Sequence, residues 1–322
     1  MSGRGTVGVE KHVAAGAALT ARAGKTRVIC LGLSALDQIW RVPAFFSGGS
    51  QKIRSFDYAT MGGGMAATAA VTVARLGGIT VFWGRGGDDA AGREMRSALS
   101  EQGVDVSQFR LFGDGQSSVS GILVDSTGER QIVNFRGKFP EPADWLPLRD
   151  VESASAVLAD PRWLAGAVAL FTAARANAVP TVLDADVADA DVFETLLPLT
   201  DHAVFSEPAL FGFAGSTDDK ALARIANFGC AVAAVTRGAD GVTWLANHVV
   251  HRQPAYAVDA IDTTGAGDVF HGAYAFAIGA RLGAADAMSF AAAAAALKCT
   301  RPGGRSGIPM LEDCLAFQRN CQ

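Results

Sequence analysis

Residues 262–268 read Asp-Thr-Thr-Gly-Ala-Gly-Asp, and the apolar run 269–276 that follows is typical of a buried helix. Gly265, Ala266 and Gly267 are small enough for backbone N–H groups to approach an anion, and a helix start adds the positive end of its dipole. Asp268 then falls in the first turn, where a carboxylate can accept a hydroxyl proton. The stretch predicts phosphoryl transfer, although a glycine-rich loop with an ordinary first-turn acid is an equally good interpretation of these residues alone.

The composition favours a small-molecule partner. The chain has 322 residues, enough for one large α/β domain, and a net charge of −4. This balance does not favour binding to nucleic acid or to an anionic membrane surface. Five scattered cysteines without a paired short spacing predict neither a zinc site nor a disulfide framework, so we expect a cytoplasmic protein.

Two apolar regions could be mistaken for targeting or membrane segments. Residues 13–23 faintly resemble a secretory signal, but they are mostly Ala and Gly, so we interpret residues 1–26 as a disordered tail. Residues 269–297 are interrupted by Arg281 and Asp286, which predicts two buried helices and no membrane span. The folded domain is therefore expected over residues 27–322.

Strand and helix patterns alternate along most of this domain. Apolar runs lie at 27–33 and 79–83, and four more end near residues 160, 184, 206 and 236. Helical segments separate most of these runs, and a loop is expected between the runs that end at 184 and 206. This order predicts an α/β fold with a doubly wound, mostly parallel sheet. Residues 84–88 are predicted to form a turn. Two stretches with antiparallel strand patterns, 37–60 and 117–136, interrupt the alternation and are expected to form a small accessory sheet.

Three motifs in this order resemble one known family. Residues 262–273 are similar to the C-terminal signature of the ribokinase-like (PfkB) sugar kinases, and residues 62–64, with the helix after them, to the N-terminal signature. Residues 236–241, Thr-Arg-Gly-Ala-Asp-Gly, resemble the family's nucleotide loop. The resemblance covers about residues 27–311. It implies an α/β/α core with a β-sheet lid and a kinase that uses ATP and Mg²⁺.

The resemblance also implies residue roles. Gly265, Ala266 and Gly267 would form an anion hole, and Asp268 would act as the base. Sugar hydroxyls would be held by Asp37, Gly63 and Gly64. The residues expected at the nucleotide are Thr236, Gly238, Gly241, Ser206, Lys298 and Gly303. Members of the family often pair through the lid, so a homodimer is expected.

The metal position departs from the family pattern. The family usually carries an Asn and, three residues later, a Glu that acts through the metal, whereas this chain has Ser206 and Ala209. Because Mg²⁺ keeps much of its hydration, we expect the contact to pass through waters to Glu207, Asp184 or Asp186.

Residues 158–163, 201–208 and 296–305 resemble the sulfofructose kinases of this family. This likeness implies 6-deoxy-6-sulfofructose as the sugar, phosphorylated at O1. A sulfonate is a permanent anion, so its pocket needs donors such as Arg162, at the carboxyl end of a strand, with Asn134 and Lys52 from the lid.

The alternatives stay open at this point. Arg162 could instead form an ion pair with Asp160, and Lys52 could be a solvated lid residue. The sugar could be another ketohexose, or the acceptor a nucleoside. A catalytically silent sugar or nucleotide sensor with the same fold is a further alternative.

Overall fold

The computed structural model describes residues 14–321, and their strands form two sheets. The larger sheet has nine strands in the order β13-β12-β11-β10-β9-β8-β1-β4-β5. They are β1 (Arg27–Gly32), β4 (Ile79–Gly87), β5 (Phe109–Phe112), β8 (Ala156–Ala159), β9 (Thr181–Ala185), β10 (His202–Ser206), β11 (Val232–Thr236), β12 (Val242–Ala246) and β13 (Val249–Gln253).

All neighbouring strands from β5 to β11 pair in parallel, and the hairpin of β12 and β13 adds an antiparallel edge. The central strands β1, β8 and β9 are buried almost throughout, as expected for a sheet with both faces covered. The predicted doubly wound, mostly parallel sheet is confirmed.

Helices cover both faces of this sheet. They are α1 (residues 14–22), α2 (Met65–Arg75), α3 (Ala90–Glu101), α4 (Leu164–Ala176), α5 (Ala190–Leu196), α6 (Glu207–Ala214), α7 (Asp219–Ala226), α8 (Ala266–Gly279), α9 (Ala284–Cys299) and α10 (Leu311–Asn320). One core packs α2, α3, α8 and α9 against the sheet, and a second core packs α4, α6 and α7 against the opposite face.

The smaller sheet is the expected lid. Its order is β3-β2-β6-β7, built from β2 (Ala35–Arg41), β3 (Asp57–Gly63), β6 (Val119–Val124) and β7 (Arg130–Phe135). The two stretches predicted from sequence join through a parallel pairing of β2 with β6. The register places Met61, Asp37, Ser120 and Asn134 side by side in one row, so these four side chains share a face of the lid.

Two predictions are wrong. Residues 14–22 are helical and Leu19 is buried in the core, so the predicted disordered tail does not extend over them; residues 1–13 lie outside the described residues. The turn predicted at 84–88 is largely strand, because β4 continues to Gly87 and pairs with β5, a short strand that the sequence pattern did not reveal. In the part of the chain that is described, no helix is long and apolar enough to cross a membrane.

Candidate active site

The predicted site residues gather at the carboxyl edge of the larger sheet. Ser206 and Thr236 are paired neighbours at the ends of β10 and β11, and Asp184 lies near the end of β9. The lid connects directly to this edge, since β2 follows β1 and β3 leads into α2. Open parallel sheets bind ligands at this edge.

The start of α8 has the geometry of an anion hole. Gly265 precedes the helix with a φ of 74°, a left-handed conformation that favours glycine. The amide of Ala266 donates to the Thr263 carbonyl at 3.2 Å, whereas the amides of Gly265, Gly267 and Asp268 donate to no group among residues 14–321. Three N–H groups therefore remain available to an anion at a helix N-terminus.

Asp268 stands beside these amides as a base without a fixed partner. Its partly exposed carboxylate makes no hydrogen bond within the described part of the chain. Burial and then the neighbouring Asp184 raise the pKa of Asp268 to about 8, against the opposing charges of His271 and Arg305. A carboxylate with a raised pKa is better matched to proton abstraction near neutral pH than an ordinary one.

His271, which carried no assigned role in the sequence analysis, holds the first turn of α8 in place. Its Nδ1 lies 2.7 Å from the Gly267 carbonyl oxygen and 3.4 Å from Oδ1 of Asp184, and its Nε2 lies 3.1 Å from the Val204 carbonyl oxygen. These contacts tie the anion hole to β9 and β10. Oδ2 of Asp184 is buried without a hydrogen-bond partner in the described residues, and burial raises the pKa of this carboxyl well above its usual value.

The sugar-binding residues predicted on the lid come together. A Cβ atom on Gly63 would lie 2.4 Å from Oδ2 of Asp37, so glycine is what lets this carboxylate lie against β3. Nδ2 of Asn134 donates to Oγ of Ser120 at 3.1 Å. Burial raises the pKa of Asp37, while a hydrogen bond from Ser120 and the charge of Arg305 oppose that rise. Asp37 and Asn134 therefore belong to one connected polar row.

Gly64, the third glycine of this signature, is needed for a different reason. Its φ is 94°, and a Cβ atom there would lie 2.4 Å from the Leu33 carbonyl oxygen. The residue therefore lets the chain turn from β3 into α2 close to the end of β1.

Arg162 lies at the end of β8, but its ion-pair partner differs from the alternative considered above. Its guanidinium donates to Oδ2 of Asp186 at 3.0 Å and to the Val187 carbonyl at 2.7 Å. The carboxylate of Asp160 accepts from the backbone amide of Arg162 and, with its other oxygen, from the amide of Leu33. Asp160 thus joins β8 to β1, while Asp186 orients the Arg162 side chain.

Lys52 does not join the lid row. It is exposed in the irregular segment between β2 and β3 and forms no ion pair with any described residue. The prediction that Lys52 lies on a lid strand is wrong, because β3 begins only at Asp57.

The predicted nucleotide loop lies beside Ser206. It begins at Thr236 and includes Gly238, which is exposed, and Gly241. A Cβ atom on Gly241 would lie 2.2 Å from the Gln253 carbonyl oxygen, so only glycine lets this turn pack against the end of β13.

Lys298 and Gly303 contact the 262–268 loop. The fully buried Lys298 side chain donates from Nζ to the Asp262 carbonyl oxygen at 2.8 Å, and the Gly303 amide donates to Oδ2 of Asp262 at 3.0 Å. Burial opposes ionisation of Asp262, but hydrogen bonds from Thr264 and the charge of Lys298 hold its pKa well below the usual range. Lys298 therefore contacts Asp262, and its contact with the nucleotide stays a prediction.

Glu207 is a poor metal candidate. Its carboxylate is paired with Arg237 and also accepts a hydrogen bond from Thr217, so its negative charge is already compensated. At the end of β9, the Asp186 carboxylate is likewise paired with Arg162, whereas Oδ2 of Asp184 has no hydrogen-bond partner in the described residues. Over residues 14–321 there is no group of three or more His, Cys, Asp or Glu residues that could hold a metal ion directly.

Comparisons with known proteins agree with this geometry. The model of the pfkB family of carbohydrate kinases matches residues 25–311. The chain is 34% identical over 275 residues to a fructokinase from Klebsiella pneumoniae, covering 78% of this chain and 90% of the relative. It is 27% identical over 297 residues to a ribokinase from Haemophilus influenzae, covering 89% and 96%.

Solved structures show the same fold. A candidate ribokinase from Agrobacterium tumefaciens superposes with a TM-score of 0.86 at 36% identity, covering 92% of this chain and 98% of that one. The Arabidopsis thaliana ribokinase complexed with ribose and ATP superposes with a TM-score of 0.83 at 25% identity, covering 91% and 98%. This chain belongs to the PfkB family of carbohydrate kinases, which transfer a phosphoryl group to an alcohol group of a sugar.

Proposed function

We propose that this kinase transfers the γ-phosphoryl group of ATP to the O1 hydroxyl of 6-deoxy-6-sulfofructose. The observation that carries phosphoryl transfer is the unpartnered carboxylate of Asp268 beside three unpaired amides at the start of α8. The choice of a sulfosugar is supported by Arg162, a guanidinium just after the end of β8, and by Asn134, an amide in the polar row of the lid.

In the proposed reaction the O1 hydroxyl gives its proton to the carboxylate of Asp268. Its oxygen forms a bond to the γ-phosphorus, and the bond from that phosphorus to the bridging oxygen breaks, so the electron pair leaves with ADP. The amides of Gly265 and Gly267 stabilise the charge on the transferring group. His271 holds the first turn of α8 through its contact with the Gly267 carbonyl oxygen.

Mg²⁺ fits this site through water. The buried Oδ2 of Asp184, which has no hydrogen-bond partner in the described residues, would face the ion from the end of β9. The Asp186 carboxylate lies beside it but is paired with Arg162. Glu207 does not fit, because Arg237 occupies its carboxylate. When bound with ATP, the ion would neutralise phosphate charge.

The sulfonate would bind at Arg162. Two of the five guanidinium N–H groups are engaged by Asp186 and Val187, which leaves three for a ligand and fixes the plane of the group. Asn134 can add an amide donor from the lid. A preoriented guanidinium loses less rotamer entropy on binding than a free one.

A second candidate is a kinase of an uncharged ketohexose. The ion pair between Arg162 and Asp186 favours this candidate, because Asp186 already neutralises Arg162 and would repel an approaching anion. The fructokinase relative points the same way.

We also propose a homodimer through the lid. All six residues of the edge strand β7 are exposed, and Ile132, Val133 and Phe135 among them are large and apolar, with Tyr58 exposed on β3. An uncovered apolar edge strand favours association. Sedimentation of Val133→Lys should show monomers where the wild type shows dimers; a monomeric wild type contradicts the proposal.

The substrate is tested by ATP consumption with fructose, fructose 6-phosphate, sulfofructose and a nucleoside. We expect preference for sulfofructose. A charge-assisted hydrogen bond contributes about 1.5 to 3 kcal/mol, so Arg162→Ala should lower kcat/KM at least roughly tenfold for sulfofructose and much less for fructose.

Arg175→Ala is the matched control, because Arg175 pairs with Asp201 at the amino edge of the sheet. An equal loss on both sugars after Arg162→Ala would contradict the sulfonate site. If the protein consumes ATP with none of these acceptors, the result would indicate a catalytically silent sensor.

A further inference from the structure

A third charged side chain shares the space around Asp37 and Asp268. Arg305 belongs to the short 3-10 helix Gly304–Gly307 that follows α9, and its side chain reaches across to β3 and α2. Arg305 is buried, with 8% of its surface exposed. A buried guanidinium beside two assigned site residues needs an explanation, because removing such a group from water is costly.

The glycines at the end of β3 make room for two charged side chains. A Cβ atom on Gly62 would lie 2.3 Å from Nη1 of Arg305, just as one on Gly63 would lie 2.4 Å from Oδ2 of Asp37. Each glycine therefore makes room for one charged side chain against β3, and the charges of Asp37 and Arg305 act on each other's pKa.

The protein uses only part of the donor capacity of Arg305. Nε donates to Oγ1 of Thr68 at 3.1 Å, and Nη2 donates to the Gly63 carbonyl oxygen. Nη1 donates to no group in the described chain. The two fixed bonds orient the plane of the guanidinium and leave Nη1 for a ligand.

The local charges keep this group ionised. Burial lowers the pKa of Arg305 to about 10, while the carboxylates of Asp268 and Asp37 oppose that fall. Thr68, the partner of Nε, also lies next to the anion hole, since its Cγ2 is 3.6 Å from where a Cβ atom on Gly265 would stand. Arg305 therefore stands between the sugar-binding lid and the phosphoryl-transfer end of the site.

We propose that Arg305 is a catalytic residue that donates from Nη1 to the acceptor sugar, at the oxygen next to the hydroxyl that Asp268 deprotonates. For a ketose this is the hydroxyl on the anomeric carbon. That hydroxyl accepts from Arg305 and can donate to Asp37, so the charged pair fixes the acceptor end of the sugar. This inference rests on the sugar-kinase activity and does not depend on the sulfonate.

The chain offers a matched control on the same loop. Nη2 of Arg75 donates to the Ser306 carbonyl oxygen at 3.0 Å, so Arg75 also anchors the 304–307 segment, but from outside the cleft. Arg75→Ala tests what loosening the loop costs. Arg305→Ala and Arg305→Lys test the guanidinium itself.

The kinetics use whichever sugar of the panel the wild type phosphorylates fastest. Loss of one charge-assisted bond to the acceptor should lower kcat/KM for the sugar by about 30-fold in Arg305→Ala, and less in Arg305→Lys. Affinity for ATP should stay near the wild-type value. Added guanidinium ion should restore part of the activity of Arg305→Ala, and Arg75→Ala should stay within about threefold of wild type.

Three outcomes overturn the inference. The first is a wild-type kcat/KM in Arg305→Ala, and the second is an equal loss of kcat/KM in Arg75→Ala. The third is a loss in Arg305→Ala that added guanidinium does not relieve and that is accompanied by a loss of ATP affinity. If Arg305→Ala does not fold, an unchanged Arg305→Lys overturns it as well. Calorimetry of sugar binding to wild type and Arg305→Lys with a non-hydrolysable ATP analogue tests the same contact without turnover. Failure of the wild type to phosphorylate any sugar would count against the proposed function alone.

Discussion

The ammonium nitrogen of Lys298 lies 2.8 Å from the backbone carbonyl oxygen of Asp262, with the whole lysine side chain buried. It also lies 3.6 Å from the carboxylate of Asp262. Asp262 opens the loop that ends at Asp268, and its carboxylate accepts from the amides of Thr264 and Gly303 as well. A cation fixed within the protein thus holds the loop that presents the anion hole.

Lys298→Met should destabilise the protein and slow catalysis. Removing one partner of a buried ion pair costs about 3 kcal/mol, because the other charge is left uncompensated. Urea unfolding measures the loss of stability, and kcat shows whether the loop still presents the anion hole correctly. In the double variant Lys298→Met/Asp262→Asn the loss should be smaller than the sum of the two single losses; strict additivity would show that the residues do not act as a pair.

Activity should rise with pH, with a midpoint at an unusually high pH for a carboxylate. Asp268 must be deprotonated to accept the hydroxyl proton, and its pKa is raised to about 8, so kcat/KM should be low below that pH and level off above it. Asp184 contributes to the rise, so Asp184→Asn should move the acid limb to lower pH. The pH dependence of kcat/KM for ATP-saturated enzyme measures both; an acid limb near pH 4 in the wild type would contradict this account.

Gly62→Ala should weaken sugar binding without lowering ATP affinity. The added Cβ would stand 2.3 Å from Nη1 of Arg305 and displace the guanidinium. We expect KM for the sugar to rise at least tenfold, the lower range of a lost charge-assisted bond. Gly212→Ala is the control, since nothing lies within 4 Å of a Cβ there and the residue is in α6. That change should stabilise the helix by about 0.5 to 1 kcal/mol and leave KM unchanged.

Sequence patterns predicted the layers and the lid because alternation and motif spacing are local properties. They placed Asp37 and Asn134 on lid strands, and the register shows why these residues meet. Sequence patterns could not predict contacts between residues far apart in the chain. Arg305, for example, donates a hydrogen bond to Thr68, 237 positions away.

Side-chain directions that depend on packing also could not be predicted from the sequence. Lys298 falls in the last turn of α9, and its motif alone does not tell whether the ammonium faces a nucleotide or Asp262. Arg162 was expected to have Asp160 as its alternative partner, two residues away, but the neighbouring strand end supplies Asp186. Spacing identifies which residues reach the sheet edge, whereas packing determines which of them bind each other.

The role of Asp268 as the base is tested by the rate of sugar phosphorylation by Asp268→Asn, with ATP affinity measured on the same preparation. The substitution keeps the size of the side chain and removes only its capacity as a base. We expect kcat to fall by roughly 10² to 10⁴, with ATP affinity unchanged. Near-wild-type turnover, or loss of ATP binding together with activity, would contradict the role of Asp268 as the residue that deprotonates the sugar.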